Sequence, residues 1–198
     1  MKRFVILISG RGSNMAALLQ ARQAGQLRAD PVLVVSNRSQ APGLDIARSY
    51  GVRTEFVSFK EPQAGEGRVI ELAEEVGAEF VVLAGFMRVV TETLINAFPH
   101  RIINMHPSLL PAFPGLHAQK QALDYGVRVS GCTTHFVDTG VDTGPIILQR
   151  VVEVKPGDTE ETLSARILIE EHKLIVETVN LLAEDRLKKV RDRRVVIE

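Results

Sequence analysis

The sequence predicts an α/β fold: a single doubly wound, mainly parallel sheet followed by a long C-terminal helix. Three observations carry that prediction. Short apolar runs without polar alternation recur at 4–8, 31–35, 80–84 and 101–105, as strands covered on both faces require. Stretches with apolar residues at helical spacing separate these runs, an alternation that yields parallel strands joined by right-handed crossovers. Residues 159–182 have the spacing of one long amphipathic helix.

Residues 4–8 run into Gly10-Arg11-Gly12-Ser13-Asn14, after which Met15, Leu18 and Leu19 recur at helical spacing, giving strand, glycine turn and helix. A second strand over 31–35 ends at Ser36-Asn37-Arg38, and Pro42-Gly43 introduces a helical stretch carrying Leu44, Ile46 and Ala47. Residues 54–59 alternate like a strand, a helix is expected from about 67 to 76, and a fourth strand over 80–84 stops at Gly85. A short helix near 92–97 leads into the fifth strand, 101–105. Two further strands are expected at 131–137 and 146–154. Asp158 is the expected N-cap of the final helix, with Glu161 three residues on as its capping-box partner. No repeat, low-complexity tract or linker interrupts the chain, so one domain over 1–198 is expected.

Composition narrows the function. Apolar residues make up 45% and charged residues 24% of the 198 residues, close to the averages of globular domains. Lys+Arg and Asp+Glu both total 24, so no basic field exists to hold a polyphosphate backbone, and nucleic acid is not an expected partner. The basic run 186–194 reads as a solvated face or a fraying end. The single cysteine, Cys132, excludes an intramolecular disulfide and reads as a small core residue. No span has the length of a membrane helix, and the apolar run at 4–8 is too short for a signal peptide, so a cytoplasmic protein is expected.

Ligands of such sheets bind beyond the carboxyl ends of the strands, which directs attention to the loops after residues 8, 84 and 105. Gly10 and Gly12 allow a tight turn, and the helix behind them aims its positive end at an anion; Ser13 and Asn14 are additional donors, or simply N-caps. The loop lacks a Walker lysine and the third glycine of a dinucleotide fingerprint, where Met15 stands. A single phosphate suits it better. After the fifth strand, Asn104-Met105-His106-Pro107-Ser108-Leu109-Leu110-Pro111 places Asn104 and His106 on one face by alternation. A fixed amide donor and a proton carrier are what acyl transfer to an amine needs; the alternative is that His106 only caps the turn. Ser108 reads as a turn former, not as a nucleophile, and no histidine pair among His106, His117 and the rest has a recognised metal spacing. His135 and His172 read as structural. Asp138-Thr139-Gly140-Val141-Asp142-Thr143-Gly144-Pro145 supplies two carboxylates and two glycines, flexible enough for backbone to approach a flat ligand. If Asp142 faces His106 and is more than a turn former, it should raise the histidine pKa.

These segments, together with Ile8-Ser9 ahead of the first glycine turn and Leu83-Ala84-Gly85-Phe86-Met87-Arg88, resemble the folate-dependent glycinamide ribonucleotide formyltransferases of purine biosynthesis over nearly the whole chain. The resemblance implies transfer of the formyl group of 10-formyltetrahydrofolate to the amine of glycinamide ribonucleotide, by direct attack assisted by Asn104, His106 and Asp142, with no metal. It implies that Gly12, Ser13 and Asn14 hold the phosphate, with Glu171 near the sugar or glycinamide. It implies that folate lies against Met87, Arg88, Val89 and Val90, with Asn104, Asp138 and Val141 near its pterin, and that Lys60 supplies a basic contact. The N-terminal half would then bind the phosphoribosyl group, and the C-terminal half would bind folate and carry the chemistry. A monomer or homodimer is expected. Relatives acting on initiator tRNA carry an added basic domain, and formyl-folate hydrolases an added regulatory domain, for neither of which these 198 residues have room. The hydrolase and a nucleotide-binding dehydrogenase using Arg38 are the alternative readings.

Overall fold

A computed structural model describes residues 1–191 and 193–198. A seven-stranded sheet has the order β3-β2-β1-β4-β5-β6-β7, formed by β1 (Lys2–Ile8), β2 (Ala29–Ser36), β3 (Arg53–Phe56), β4 (Phe80–Leu83), β5 (Ile102–His106), β6 (Val129–Phe136) and β7 (Ile146–Glu153). The first five pair in parallel, whereas β6 and β7 are antiparallel additions beside β5. Chain order reverses between β1 and its two neighbours, β2 and β4. The loops leaving β1 and β4 therefore diverge, which opens a crevice at the carboxyl edge of the strands.

Alternation along β1 explains how both faces are filled. Phe4, Ile6 and Ile8 join one core with Met15 and Leu18 of α1 (Ser13–Gln23) and with Ile167, Leu174 and Ile175 of α6 (Glu160–Ala183). Val5 and Leu7 join a second core with Val69 and Leu72 of α3 (Pro62–Glu75) and Leu94 of α4 (Glu92–Ala97). Cys132 of β6 is buried in the first core, where burial, reinforced by the nearby Glu171 and Glu170 charges, pushes its thiol up to about 12.

Several boundaries differ from expectation. The third strand ends at Phe56 instead of residue 59; Val57 still donates its N–H to the Ser36 carbonyl, and Val57 and Phe59 sink into the second core. The helix expected from 67 begins at Pro62, whose fixed φ suits a first turn. An unforeseen helix, α5 (Ala118–Tyr125), buries only Ala118 and Ala122, so its apolar stripe is too narrow to read. The N-cap of α6 is Thr159, not Asp158, and its reciprocal partner is Thr162, not Glu161. Asp158 is instead drawn into two bonds with the guanidinium of Arg166, at 2.7 and 2.9 Å. Finally, the basic tail, expected to be a solvated face or a fraying end, forms an antiparallel pair, β8 (Leu187–Arg191) and β9 (Arg194–Ile197); Asp192 lies outside the described residues.

Candidate active site

At the end of β1 the chain turns through Gly12 in the left-handed region (φ 69°), and α1 begins with no side-chain cap and no acidic residue in its first turn. Its N–H groups and dipole are thus presented to the crevice without local competition. Gly43 of α2 (Pro42–Ser49) packs directly on this turn and donates its N–H to the Gly10 carbonyl at 3.1 Å. A Cβ there would stand 2.5 Å from Ile8 Cδ1 and 2.9 Å from that carbonyl oxygen. Asn14 reaches across to α6 and donates to Glu171 Oε2 at 2.9 Å. Burial raises the Glu171 pKa, which the Asn14 bond offsets only in part. Asn14, two residues beyond Gly12, is thus brought together with Glu171, while the part played by Gly43 has no local signal in the sequence because a close approach between distant loops leaves no local pattern.

A cavity of about 670 Å³ opens beyond β4 and β5, lined by residues that include Met87, Asn104, His106, His135, Val141 and Asp142. Asn104 and His135 are cross-strand partners in the antiparallel pairing of β5 with β6, so their side chains lie on one face. Asn104 Nδ2 is 3.0 Å from His135 Nε2 and donates to Asp142 Oδ1 at 3.3 Å. His106 Nδ1 is 3.1 Å from Asp142 Oδ2, and its Nε2 is 2.9 Å from the Phe113 carbonyl. The N–H of Gly115 completes the ring around the carboxylate with a 2.8 Å bond to Oδ2. Asp142 is held at φ 54°, a left-handed conformation that aims it back over the sheet.

The hydrogen-bond partners constrain how the two histidines carry their protons. His135 Nδ1 faces the Phe136 carbonyl at 2.9 Å, so that nitrogen carries the proton and Nε2 accepts from Asn104. Both ring nitrogens of His106 face acceptors, an arrangement that only the imidazolium satisfies fully. Burial nevertheless pushes the His106 pKa down by more than Asp142 and the Phe113 carbonyl pull it up. The sequence-based expectation of a raised pKa is corrected here: the carboxylate acts in the expected direction, and desolvation of a nearly enclosed ring outweighs it. For Asp142, burial pushes upward, but the Gly115 N–H and His106 hold it below the ordinary carboxylate value.

The loop after β4 is anchored by buried residues at either end of an exposed stretch, Met87 to Val89. Met87 and Val89 are 57% and 61% exposed, whereas Phe86 and Val90 are buried in the second core; Met87, Arg88, Val89 and Val90 all line the cavity, as do Asp138 and Val141. Lys60 is exposed and is not among the lining residues. The two glycines of the 138–145 loop are required by the loop itself: a Cβ on Gly140, which also lines the cavity, would meet Thr143 Oγ1 at 2.0 Å, and one on Gly144 the Phe136 carbonyl oxygen at 1.7 Å. Asp138 accepts from the Gly140 N–H and the Thr143 hydroxyl, a turn-forming pattern. His135, expected to be structural, is the residue of the polar cluster that the sequence reading missed. Among the described residues, no three His, Cys, Asp or Glu side chains form a set that could hold a metal ion.

A family model described as formyl transferase matches residues 2–179. The chain is 46% identical over 194 residues to the trifunctional purine biosynthetic protein adenosine-3 of Drosophila pseudoobscura pseudoobscura, covering 96% of this chain but 14% of that protein's length. It is 41% identical over 176 residues to the phosphoribosylglycinamide formyltransferase of Bacillus subtilis, covering 87% of this chain and 90% of that one. The crystal structure of glycinamide ribonucleotide transformylase 1 from Symbiobacterium toebii matches with a TM-score of 0.96 at 47% identity, over 100% of this chain and 94% of that one. The chain therefore belongs to the formyl transferase family, among the phosphoribosylglycinamide formyltransferases.

Proposed function

We propose that this chain transfers the formyl group of 10-formyltetrahydrofolate to the free amine of glycinamide ribonucleotide. The observation that carries the reading is the cluster of Asn104, His106 and Asp142 on the cavity wall, across β4 from an uncapped glycine turn suited to a phosphate. In this reading Gly12, Ser13 and Asn14 take the ribonucleotide phosphate, and Glu171 is its sugar-side or glycinamide contact. Met87, Val89 and Val141 supply apolar surface for the folate rings. The ribonucleotide side thus centres on the N-terminal glycine turn with Glu171 added from the C-terminal half, and the folate side joins Met87 and Val89 of the N-terminal half to Val141 of the C-terminal half, which also carries the catalytic cluster.

The amine lone pair attacks the formyl carbon, and the carbonyl pair moves onto oxygen. Both Nδ2 hydrogens of Asn104 are engaged, so its donation to the oxyanion replaces the longer contact, the one to Asp142, while His135 keeps the amide aimed. His106 takes part as the imidazolium and keeps both of its protons throughout: its Nδ1–H stays on Asp142, and its Nε2–H exchanges the Phe113 carbonyl for the oxyanion. Asp142, ionised at neutral pH, balances that charge and relays the excess proton of the attacking nitrogen through water to the departing folate nitrogen. An oxyanion donor of this kind contributes about 10²- to 10³-fold, and a placed proton carrier about 10²- to 10⁴-fold. Alignment of two bound substrates adds an effective molarity of about 10⁵ M or more.

The test is absorbance-monitored turnover of a 10-formyl folate analogue with and without glycinamide ribonucleotide. Deformylated folate appearing only with the ribonucleotide supports the transfer. Deformylation without it makes the protein a hydrolase, and no turnover by folded protein refutes the reading.

A further inference from the structure

We propose that Ser9 and Glu66 are positioning residues for folate: they fix the two ends of the cavity loop that spans Met87 to Val90. Neither residue is among those lining the cavity, and both are buried polar side chains. At the first end, the Met87 N–H donates to Ser9 Oγ at 2.7 Å, and the same hydroxyl gives its hydrogen to Asn37 Oδ1 at 2.6 Å. Asn37 thereby leaves the serine lone pair free for Met87. The Ser9 N–H also donates to the Gly85 carbonyl at 3.1 Å, so the strand tip holds the loop on both sides of Phe86.

At the second end, the fully buried Glu66 carboxylate of α3 accepts from the Thr91 N–H at 2.7 Å, the Thr91 hydroxyl at 2.5 Å and the Leu94 N–H at 3.2 Å. A carboxylate in that position replaces the missing intrahelical partners of the first turn of α4 and ties the loop exit to a different helix. Between the anchors, Phe86 packs edge-on to Phe59, with ring centroids 5.1 Å apart, and Val90 sinks into the same core. With both ends bonded and both inward residues packed, Met87 and Val89 can only project outward.

This inference rests on the proposed function, because the exposed face of the loop is read as a wall for folate. A surface loop ordinarily loses conformational freedom when a ligand settles on it, and ordering it beforehand strengthens binding without a new contact. The anchors should therefore act on folate affinity rather than on the chemical step.

Ser9→Ala and Glu66→Gln separate the two ends. Each should raise KM for the folate cosubstrate about tenfold, the effect of losing one or two buried hydrogen bonds, with kcat at saturating folate unchanged. Glu66→Gln, remote from the glycine turn, should leave the ribonucleotide KM at the wild-type value. Glu66→Ala should exceed Glu66→Gln, which retains one carbonyl acceptor; if the alanine variant does not fold, the glutamine variant and Ser9→Ala decide. Amide hydrogen exchange at Met87 and Thr91 should quicken while exchange in β1 and β4 stays slow. A wild-type folate KM in both folded variants, an equal rise in both substrate KM values, or unchanged exchange at Met87 and Thr91 overturns the proposal. If the wild-type protein transfers no formyl group, the functional reading is what fails. Titration of the folate analogue into the same variants, read with the exchange data, then still decides whether the anchors set the loop.

Discussion

Asn104 Nδ2 and His135 Nε2 meet at 3.0 Å across the antiparallel β5–β6 pair, so the orientation of the amide is set by a histidine that itself donates to the Phe136 carbonyl. His135→Phe keeps a ring of similar size but removes the acceptor, leaving one amide hydrogen without its partner. Turnover is expected to fall by about ten- to a hundredfold, as for a modest misplacement of a catalytic group, with ribonucleotide affinity unchanged. Steady-state kinetics beside an equilibrium binding titration check this; wild-type turnover would return His135 to a structural role.

Asp142→Asn preserves shape and removes charge. It should lower kcat by at least about a hundredfold, the range of lost proton transfer and oxyanion stabilisation. Asp142 raises the His106 pKa against the larger effect of burial, so the substitution should depress that pKa further. An NMR titration of the His106 ring reads the sign directly, and an upward shift would contradict the electrostatic account.

Glu171 offers a prediction about stability. Its pKa is raised above 4.5 in the folded protein by burial, so the native state binds more protons than the unfolded chain in the interval between the two values. Stability contributed by this group is present below the unfolded pKa and declines as pH rises through the folded one. Glu171→Gln mimics the protonated form. It should raise Tm at neutral pH and lose that advantage near pH 4, while weakening ribonucleotide binding. A Tm difference that does not change with pH would show that the carboxyl does not titrate in this way.

Gly43→Ala tests the contact between the glycine turn and α2. The added methyl would sit well inside van der Waals distance of Ile8 Cδ1 and the Gly10 carbonyl, at a cost of about 1–3 kcal/mol. Because the turn must shift to accommodate it, ribonucleotide affinity should fall together with the urea midpoint. A destabilised variant with normal affinity would mean that α2 yields instead of the turn.

The parts of this protein legible in its sequence are those governed by short-range rules. Asn104 and His106 stand out because a buried strand runs into a proline-bracketed turn, and alternation alone puts them on one face. The glycine turn and helix at 10–14 are equally local. Asp142 could be picked as a carboxylate in a turn, but its 3.1 Å approach to His106 depends on a 138–145 loop that doubles back on its own glycines. The role of His135 depends on register between two strands paired antiparallel, which a list of apolar runs does not specify. The capping box moved by one residue because Thr159 and Thr162 satisfy the same geometry, and Arg166 competes for Asp158. The His106 pKa went the other way because desolvation is a property of the finished enclosure, whereas a neighbouring charge can be guessed from sequence.

The lone thiol of Cys132, shut inside the sheet and scarcely ionised near neutrality with its pKa at about 12, makes the chain a quiet background for maleimide labelling. A Val89→Cys variant would carry one reactive handle on the exposed cavity loop, with no native residue to remove first. A fluorophore attached there should report ligand arrival as a change in emission, and the unsubstituted protein should take up almost no dye while folded. Binding order, which turnover assays infer only indirectly, could then be watched one substrate at a time.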